Sequence, residues 1–337
     1  MPSINSGLRL NLTGAESDPA LRSLRYRTAI DMAAYADQQG FSSVNVEEHH
    51  VARNGWLPSP LTMAAAIAAR TERCNIGVMA LLVTLYDPIR LAEDIAVVDL
   101  LSQGRLNFVA GMGYREVEFH IANKPFAARG QWMDHVLETL LKAWSDEPFE
   151  YNGRMVNVTP KPYSRPHPMF LVGGMSKPAA KRAARLGLPF APPVADPMLN
   201  AYYHEQLKVH GKQGFTYSPP ADFSILFIHE NPDQAWDELG HYFLNEVIEY
   251  SSWKTAGVNR PLEFSSDSVD ALRAEKRYEI ISPAECKQRH RERSDFSAVI
   301  HPLIGGMPLD AAWNCLRIYS EQVLAPLQRE QKANKNA

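Results

Sequence analysis

The strongest constraint on this chain is a regular alternation. Short apolar runs are separated by longer segments, many of which open on a short polar residue followed by proline. Six such pairs stand out: Asp18-Pro19, Ser59-Pro60, Asp87-Pro88, Asp196-Pro197, Asn231-Pro232 and Ser282-Pro283. Each polar side chain can accept from the free N–H groups of a first helical turn. Proline suits the first helical position, where its missing N–H would have no partner in any case. Glu285, three residues after Ser282, adds a capping box. The pattern predicts helices over about 20–39 (ending at Gly40), 60–71, 88–102 (stopping at Gly104), 176–186, 197–212, 232–250, 283–293 and 308–324. In the third of these, Leu91, Ile95, Val98 and Leu101 recur at helical spacing. Eight strands are expected between the helices, at 8–12, 43–47, 75–80, 105–111, 169–172, 188–192, 223–229 and 296–301.

Strand and helix alternating from end to end is the signature of an α/β fold. Short, continuously apolar strands indicate a parallel sheet covered on its outer face. Both an open doubly wound sheet and a closed barrel satisfy this; eight units favour a TIM (β/α)8 barrel with insertions, and 337 residues can form one such domain. Residues 1–337 are therefore expected to be a single barrel domain. Residues 112–129 should be a loop or short helix, and 149–167 a small hairpin with a Pro-rich lead-in. An irregular insertion is expected at about 251–281 and a disordered tail at about 330–337. A formal net charge of −3 argues against binding nucleic acid or anionic membrane surfaces. Cys74, Cys286 and Cys315 lie too far apart for a cysteine zinc site or a disulfide framework. No secretory signal or membrane-length apolar run is visible, so a cytoplasmic location is expected.

Three stretches could carry chemistry. Glu47-Glu48-His49-His50 ends the second strand, the end from which barrels present catalytic groups, and offers acid–base chemistry near neutral pH. Side-chain alternation sends only one of His49 and His50 to the cavity; an ion pair with a capping histidine is the plainer alternative. Four ligands from so short a stretch cannot converge, so no metal is expected. Gly111-Met112-Gly113 follows the fourth strand, but Glu116 stands where a dinucleotide fingerprint has its third glycine. These glycines either let a bulky ligand approach the backbone or form a turn. Gly173-Gly174-Met175-Ser176 joins a strand to a helix N-terminus. It is either an anion site, through free N–H groups and the helix dipole, or a Ser-capped turn. Trp56, Tyr86, Tyr114 and Phe119 follow strands two to four and either wall a dry pocket or anchor loops. Cys74 and His301 read as structural residues, and no GxSxG elbow is present.

Taken together, residues 36–50, 68–77, 87–105 and 165–176 resemble the bacterial luciferase-like family of flavin-dependent monooxygenases and oxidoreductases. The likeness is strong over 7–190 and looser at His301-Pro302-Leu303-Ile304-Gly305-Gly306. The resemblance implies a TIM barrel that binds reduced flavin at its C-terminal mouth, with His49 as the catalytic histidine. Met79 and Ala80 would back the isoalloxazine ring, in this family often through a non-prolyl cis peptide, and Gly173, Gly174, Met175 and Ser176 would hold the phosphate. Gly111-Met112 replaces the Cys-Arg pair of true luciferases, leaving Lys177 or Arg115 to substitute for the arginine and light emission unexpected. The implied reaction uses reduced FMN as co-substrate, with O₂, to oxygenate a small organic substrate. A separate flavin reductase and a homodimer are expected, and 251–281 is a lid candidate. The alternatives are a deazaflavin-dependent hydride-transfer enzyme and a flavin-binding protein without turnover.

Overall fold

The computed structural model describes residues 4–14, 18–253 and 265–335. The chain begins with β1 (Asn5–Leu10), α1 (Pro19–Gln39), β2 (Ser43–Val46), α2 (Pro60–Ala68), β3 (Asn75–Leu81) and α3 (Pro88–Ser102). Next come β4 (Leu106–Ala110), α4 (Glu116–Ile121), α5 (Arg129–Trp144) and a hairpin of β5 (Phe149–Tyr151) and β6 (Arg154–Val156). The parallel repeat resumes with β7 (Met169–Gly173), α6 (Lys177–Leu186), β8 (Phe190–Ala191), α7 (Pro197–Val209), β9 (Ile225–Ile228) and α8 (Pro232–Ser252). The chain ends with α9 (Val269–Glu275), β10 (Tyr278–Ile281), α10 (Pro283–Glu292), β11 (Ser297–Ile300) and α11 (Leu309–Ile318), which runs through a π-helical turn at Tyr319–Leu324 into α12 (Ala325–Lys335).

All six cap-and-proline pairs start helices. Five cap through their side chains: Asp18, Asp87, Asp196, Asn231 and Ser282 each accept a first-turn N–H, while Ser59 makes no such bond. Ser282 Oγ accepts the Glu285 N–H at 3.2 Å. The Glu285 carboxylate pairs instead with Arg289.

One parallel sheet runs β10-β9-β11-β1-β2-β3-β4-β7-β8. Ala191 at one edge and Tyr278 at the other line the same cavity, so the sheet curls round into an α/β barrel. Leu8, Val44, Ile76, Phe108 and Phe170 are buried beneath the helices, while the alternate positions Arg9, Glu47, Met79, Val109 and Gly173 face the cavity. β1 and β2 thus alternate an apolar face with a polar or small one, whereas β9, Ile225-Leu226-Phe227-Ile228, is apolar throughout. Gly77 keeps this interior open: a Cβ there would lie 2.2 Å from Asn45 Oδ1 and 2.9 Å from Met79 Cε.

Three expectations need correction. Among the described residues the sheet has nine strands, not eight; the additional one, β10, lies in the polar stretch expected to be irregular. Residues 251–281 hold the end of α8, all of α9 and β10, and the lid candidate falls in part on 254–264, outside the described residues. The tail expected to be disordered from about 330 is helical to Lys335, because Leu327 is buried and Glu330 pairs with Arg291 at 2.6 Å.

Tyr319, at the start of the π-helical turn, is buried beside Ser6 and His290. Burial pulls the His290 imidazole down to about 4, and the Phe296 ring stands edge-on to it at 4.7 Å. The unfolded chain takes up this proton near pH 6.5, before the native state does. Stability linked to His290 is therefore complete above about pH 6.5 and is lost as pH falls toward 4, by at most about 3 kcal/mol. Urea midpoints at pH 7 and pH 5 should converge in His290→Phe relative to wild type; an undiminished difference would show that acid sensitivity arises elsewhere.

Candidate active site

The C-terminal ends of β2, β3, β4, β7 and β8 surround a cavity of about 810 Å³, a size suited to a cofactor together with a small substrate. Its wall is divided into three regions of different chemistry.

The first region centres on His49. Its ring lies among Trp56, Tyr114, Tyr250 and Trp253, with centroids 4.6–6.1 Å away. Nδ1 is 3.1 Å from Glu118 Oε1. The same oxygen accepts from the His50 N–H and from Arg115 Nη1, each at 3.0 Å. Burial pushes the Glu118 carboxyl up, but the His49 and His50 hydrogen bonds and the Arg115 charge outweigh it and hold it below the usual carboxylate range. An ionised Glu118 only accepts, which assigns the Nδ1 hydrogen to His49 and leaves Nε2 for the cavity. Arg115 is 4.0 Å over the Trp253 ring and donates to the His50 carbonyl at 2.5 Å. His50 turns away to Glu48 at 3.0 Å. Burial lowers its imidazole pKa, yet the Glu48 hydrogen bond and charge raise it overall.

The second region is the turn at Gly173–Ser176. Ser176 caps α6, its Oγ accepting the Ala179 N–H at 3.4 Å. Gly174 has φ +153°, and a Cβ there would come within 2.5 Å of Ala179 Cβ, so only glycine lets the backbone pass. Arg129, at the start of α5, and Arg182, on α6, also line the cavity. Arg182 is fixed by Asp134 at 2.9 and 3.2 Å and by the Gly130 carbonyl at 2.9 Å. Arg129 donates to the Phe126 carbonyl at 3.0 Å, but its Nε is buried without a partner.

The third region is a charged floor. Arg9 bonds to Glu47 and, at 3.1 Å, to Glu246 Oε1, which also accepts from Tyr278 at 2.9 Å. Glu246 Oε2 faces Thr13 at 2.7 Å and His301 Nε2 at 3.2 Å. Burial raises the Glu246 carboxyl, but His301 and Arg9 hold it far below its ordinary value.

Of the residues singled out in the sequence, His49, Trp56, Met79, Ala80, Gly111, Tyr114, Gly173, Gly174, Met175 and Ser176 border the one cavity. The Met79–Ala80 peptide is cis. Tyr86 and Phe119 stand behind the wall: Tyr86 donates to Glu48 at 2.5 Å, and Phe119 is buried against Phe126. Neither residue expected to substitute for the missing arginine borders the cavity. Arg115 is committed to Glu118 and Trp253, and Lys177 lies 5.3 Å over Tyr202, outside the cavity. Sequence reasoning missed Glu118, Arg129 and Glu246, which converge only through tertiary contacts. Among the described residues, no group of three or more His, Cys, Asp or Glu could hold a metal ion, and no helix is long and apolar enough to cross a membrane.

A family model described as luciferase-like monooxygenase matches residues 10–299. An uncharacterized protein of Sinorhizobium fredii is 31% identical over 166 residues, 48% of this chain and 47% of that relative, so the matched part spans about half of it. The alkanal monooxygenase beta chain of Vibrio harveyi is 26% identical over 66% of this chain and 71% of its own length. Among solved structures, a monooxygenase from Streptomyces bottropensis superposes with a TM-score of 0.74 at 22% identity, covering 96% of this chain and all of the other. The oxygenating constituent of 3,6-diketocamphane monooxygenase of Pseudomonas putida, in complex with FMN, superposes with a TM-score of 0.68 at 18% identity, covering 96% and 98%.

Proposed function

This chain belongs to the luciferase-like monooxygenase family, and from that premise we propose that it uses reduced FMN and O₂ to oxygenate a small organic substrate. One observation carries the reading: a single cavity joins the glycine turn at the N-terminus of α6, a wall at Met79, Ala80 and Gly111, and an imidazole shielded by aromatic rings. The residues fit the cofactor. The Gly173–Ser176 turn and the unpartnered Arg129 Nε suit a phosphate, and Met79, Ala80 and Gly111 offer an apolar wall against which a ring can lie. When bound, reduced FMN supplies the electrons that activate O₂. Glu118 holds His49 through Nδ1, so that Nε2 can give or take a proton at the reacting centre. Trp56, Tyr114, Tyr250 and Trp253 keep water from that imidazole. The proposal includes a homodimer, a cytoplasmic location and a separate flavin reductase, the last because no NAD(P)H-binding motif is recognisable in the sequence.

Titration with FMN, reduced FMN and a deazaflavin, with O₂ uptake measured against a panel of small organic compounds, tests the reading. FMN should bind in both redox states, with substrate-dependent O₂ uptake. Tighter deazaflavin binding without O₂ uptake would replace it with hydride transfer; flavin binding with no turnover would leave a binding protein.

The phosphate site has its own test. A side chain at Gly174 would collide with Ala179, so the added charge belongs at the exposed Ser176. Aspartate caps helices as well as serine does, so Ser176→Asp should spare the fold. It should weaken FMN about tenfold, near 1.4 kcal/mol, and riboflavin hardly at all. Equal losses for both ligands would remove the phosphate from this turn.

A further inference from the structure

Four methionines border the cavity: Met79, Met112, Met133 and Met175. They differ in access. Met133 is 1% exposed, Met112 and Met175 are half-buried, and Met79 is 36% exposed. Met79 lies on the inward row of β3, in the wall proposed to back the flavin ring. The missing side chain of Gly77 makes room for its Cε, which would lie 2.9 Å from a Cβ at that position. A thioether is the side chain most readily oxidised by a two-electron peroxide oxidant after the thiolate. Cys74, Cys286 and Cys315 are buried and do not border the cavity, and burial raises each thiol to about 12. Within this cavity, methionine sulfur is therefore the exposed reductant.

We propose that Met79 is a self-oxidation site, converted to the sulfoxide by hydrogen peroxide formed in the cavity when reduced flavin meets O₂ with no organic substrate present. The inference rests on the flavin reading above. The chemistry balances: reduced flavin passes two electrons and two protons to O₂, giving hydrogen peroxide. The Met79 sulfur attacks one peroxide oxygen and the O–O bond breaks. That oxygen stays on sulfur, and the other leaves as water with both protons. Sulfur is oxidised by two electrons and peroxide reduced by two. The product puts a polar, chiral group into an apolar wall, which weakens flavin binding. Idle turnover thereby switches the site off, and methionine sulfoxide reduction restores it.

Surface methionines provide an internal control. Met198 is 84% exposed, Met155 67% and Met169 52%, and none of them borders the cavity. Peroxide from bulk solution oxidises in that order, ahead of Met79. Peroxide born in the cavity reverses the order. The experiment adds repeated portions of reduced FMN to the air-saturated protein, with catalase and superoxide dismutase present and no organic substrate. Peptide mass spectrometry reads each methionine, and flavin fluorescence reads FMN binding. Met79 sulfoxide should exceed that of Met198 by about tenfold or more, and FMN affinity should fall by about tenfold as it accumulates. Met79→Leu, whatever its starting affinity, should hold that affinity constant through the same treatment. FMN binding with Met79 oxidised no more than Met198, or an affinity loss unchanged in Met79→Leu, would overturn this proposal alone. Failure of FMN to bind at all would overturn it together with the flavin reading.

Discussion

His49→Ala should lower turnover by about 10²–10⁴-fold, the usual range for removing a positioned acid–base group, while FMN affinity changes by less than about threefold. The asymmetry follows from geometry. His49 is held by Glu118 at one ring nitrogen and boxed by four aromatic rings, whereas the turn proposed to hold the phosphate follows β7. His50→Ala is the paired control. That ring turns to Glu48 and does not border the cavity, so its loss should cost much less activity. Glu118→Gln separates chemistry from positioning. It keeps a hydrogen-bond acceptor but removes the charge that sets the His49 tautomer, so it should move the pH–rate profile as well as the rate. Single-turnover O₂ uptake with saturating reduced FMN measures all three. Near-wild-type rates in His49→Ala would take the imidazole out of the reaction.

Glu246→Gln should destabilise the fold by about 3–5 kcal/mol, the typical cost of breaking a buried ion pair from one side. At roughly 2 °C per kcal/mol, Tm should drop by roughly 6–10 °C. Glu246 is almost fully buried and takes hydrogen bonds from Arg9, Tyr278 and Thr13, with His301 Nε2 at 3.2 Å. Neutralising it leaves Arg9 with Glu47 as its remaining carboxylate and places an amide N–H₂ where only donors point. The pH dependence gives a second signature. The folded-state pKa of Glu246 is depressed, so its contribution is complete above the unfolded value near 4.3 and is lost as pH falls through the folded value. Wild type should therefore lose stability below about pH 4.3 more steeply than Glu246→Gln. Chemical denaturation at pH 7 and pH 3.5 measures both effects, and an unchanged midpoint at pH 7 would show that the floor network adds no net stability.

Short-range physics made much of this molecule readable. Asp87-Pro88 and Asn231-Pro232 start helices because capping and the fixed φ of proline act within a few residues. Gly173-Gly174 followed by Ser176 marked a capped strand-to-helix turn for the same local reason. β10 is not legible in the sequence because Tyr278-Glu279-Ile280-Ile281 is four residues long inside a polar stretch, and only its pairing with β9 makes it a strand. Tyr86 and Phe119 were open in the sequence between walling a pocket and anchoring loops, because which side of a wall an aromatic fills depends on neighbours such as Glu48 and Phe126.

The sequence by itself determined the alternation of strand and helix, the α/β class and most of the helix starts, because caps, periodicity and strand direction are properties of adjacent residues. Tertiary structure alone decided which histidine faces the cavity, that Glu118 orients it across 69 positions of chain, and that Arg129 rather than Arg115 or Lys177 borders the cavity. A hydrogen bond or a charge contact acts over a few ångströms, and no local pattern records which distant segments barrel closure will bring within that reach.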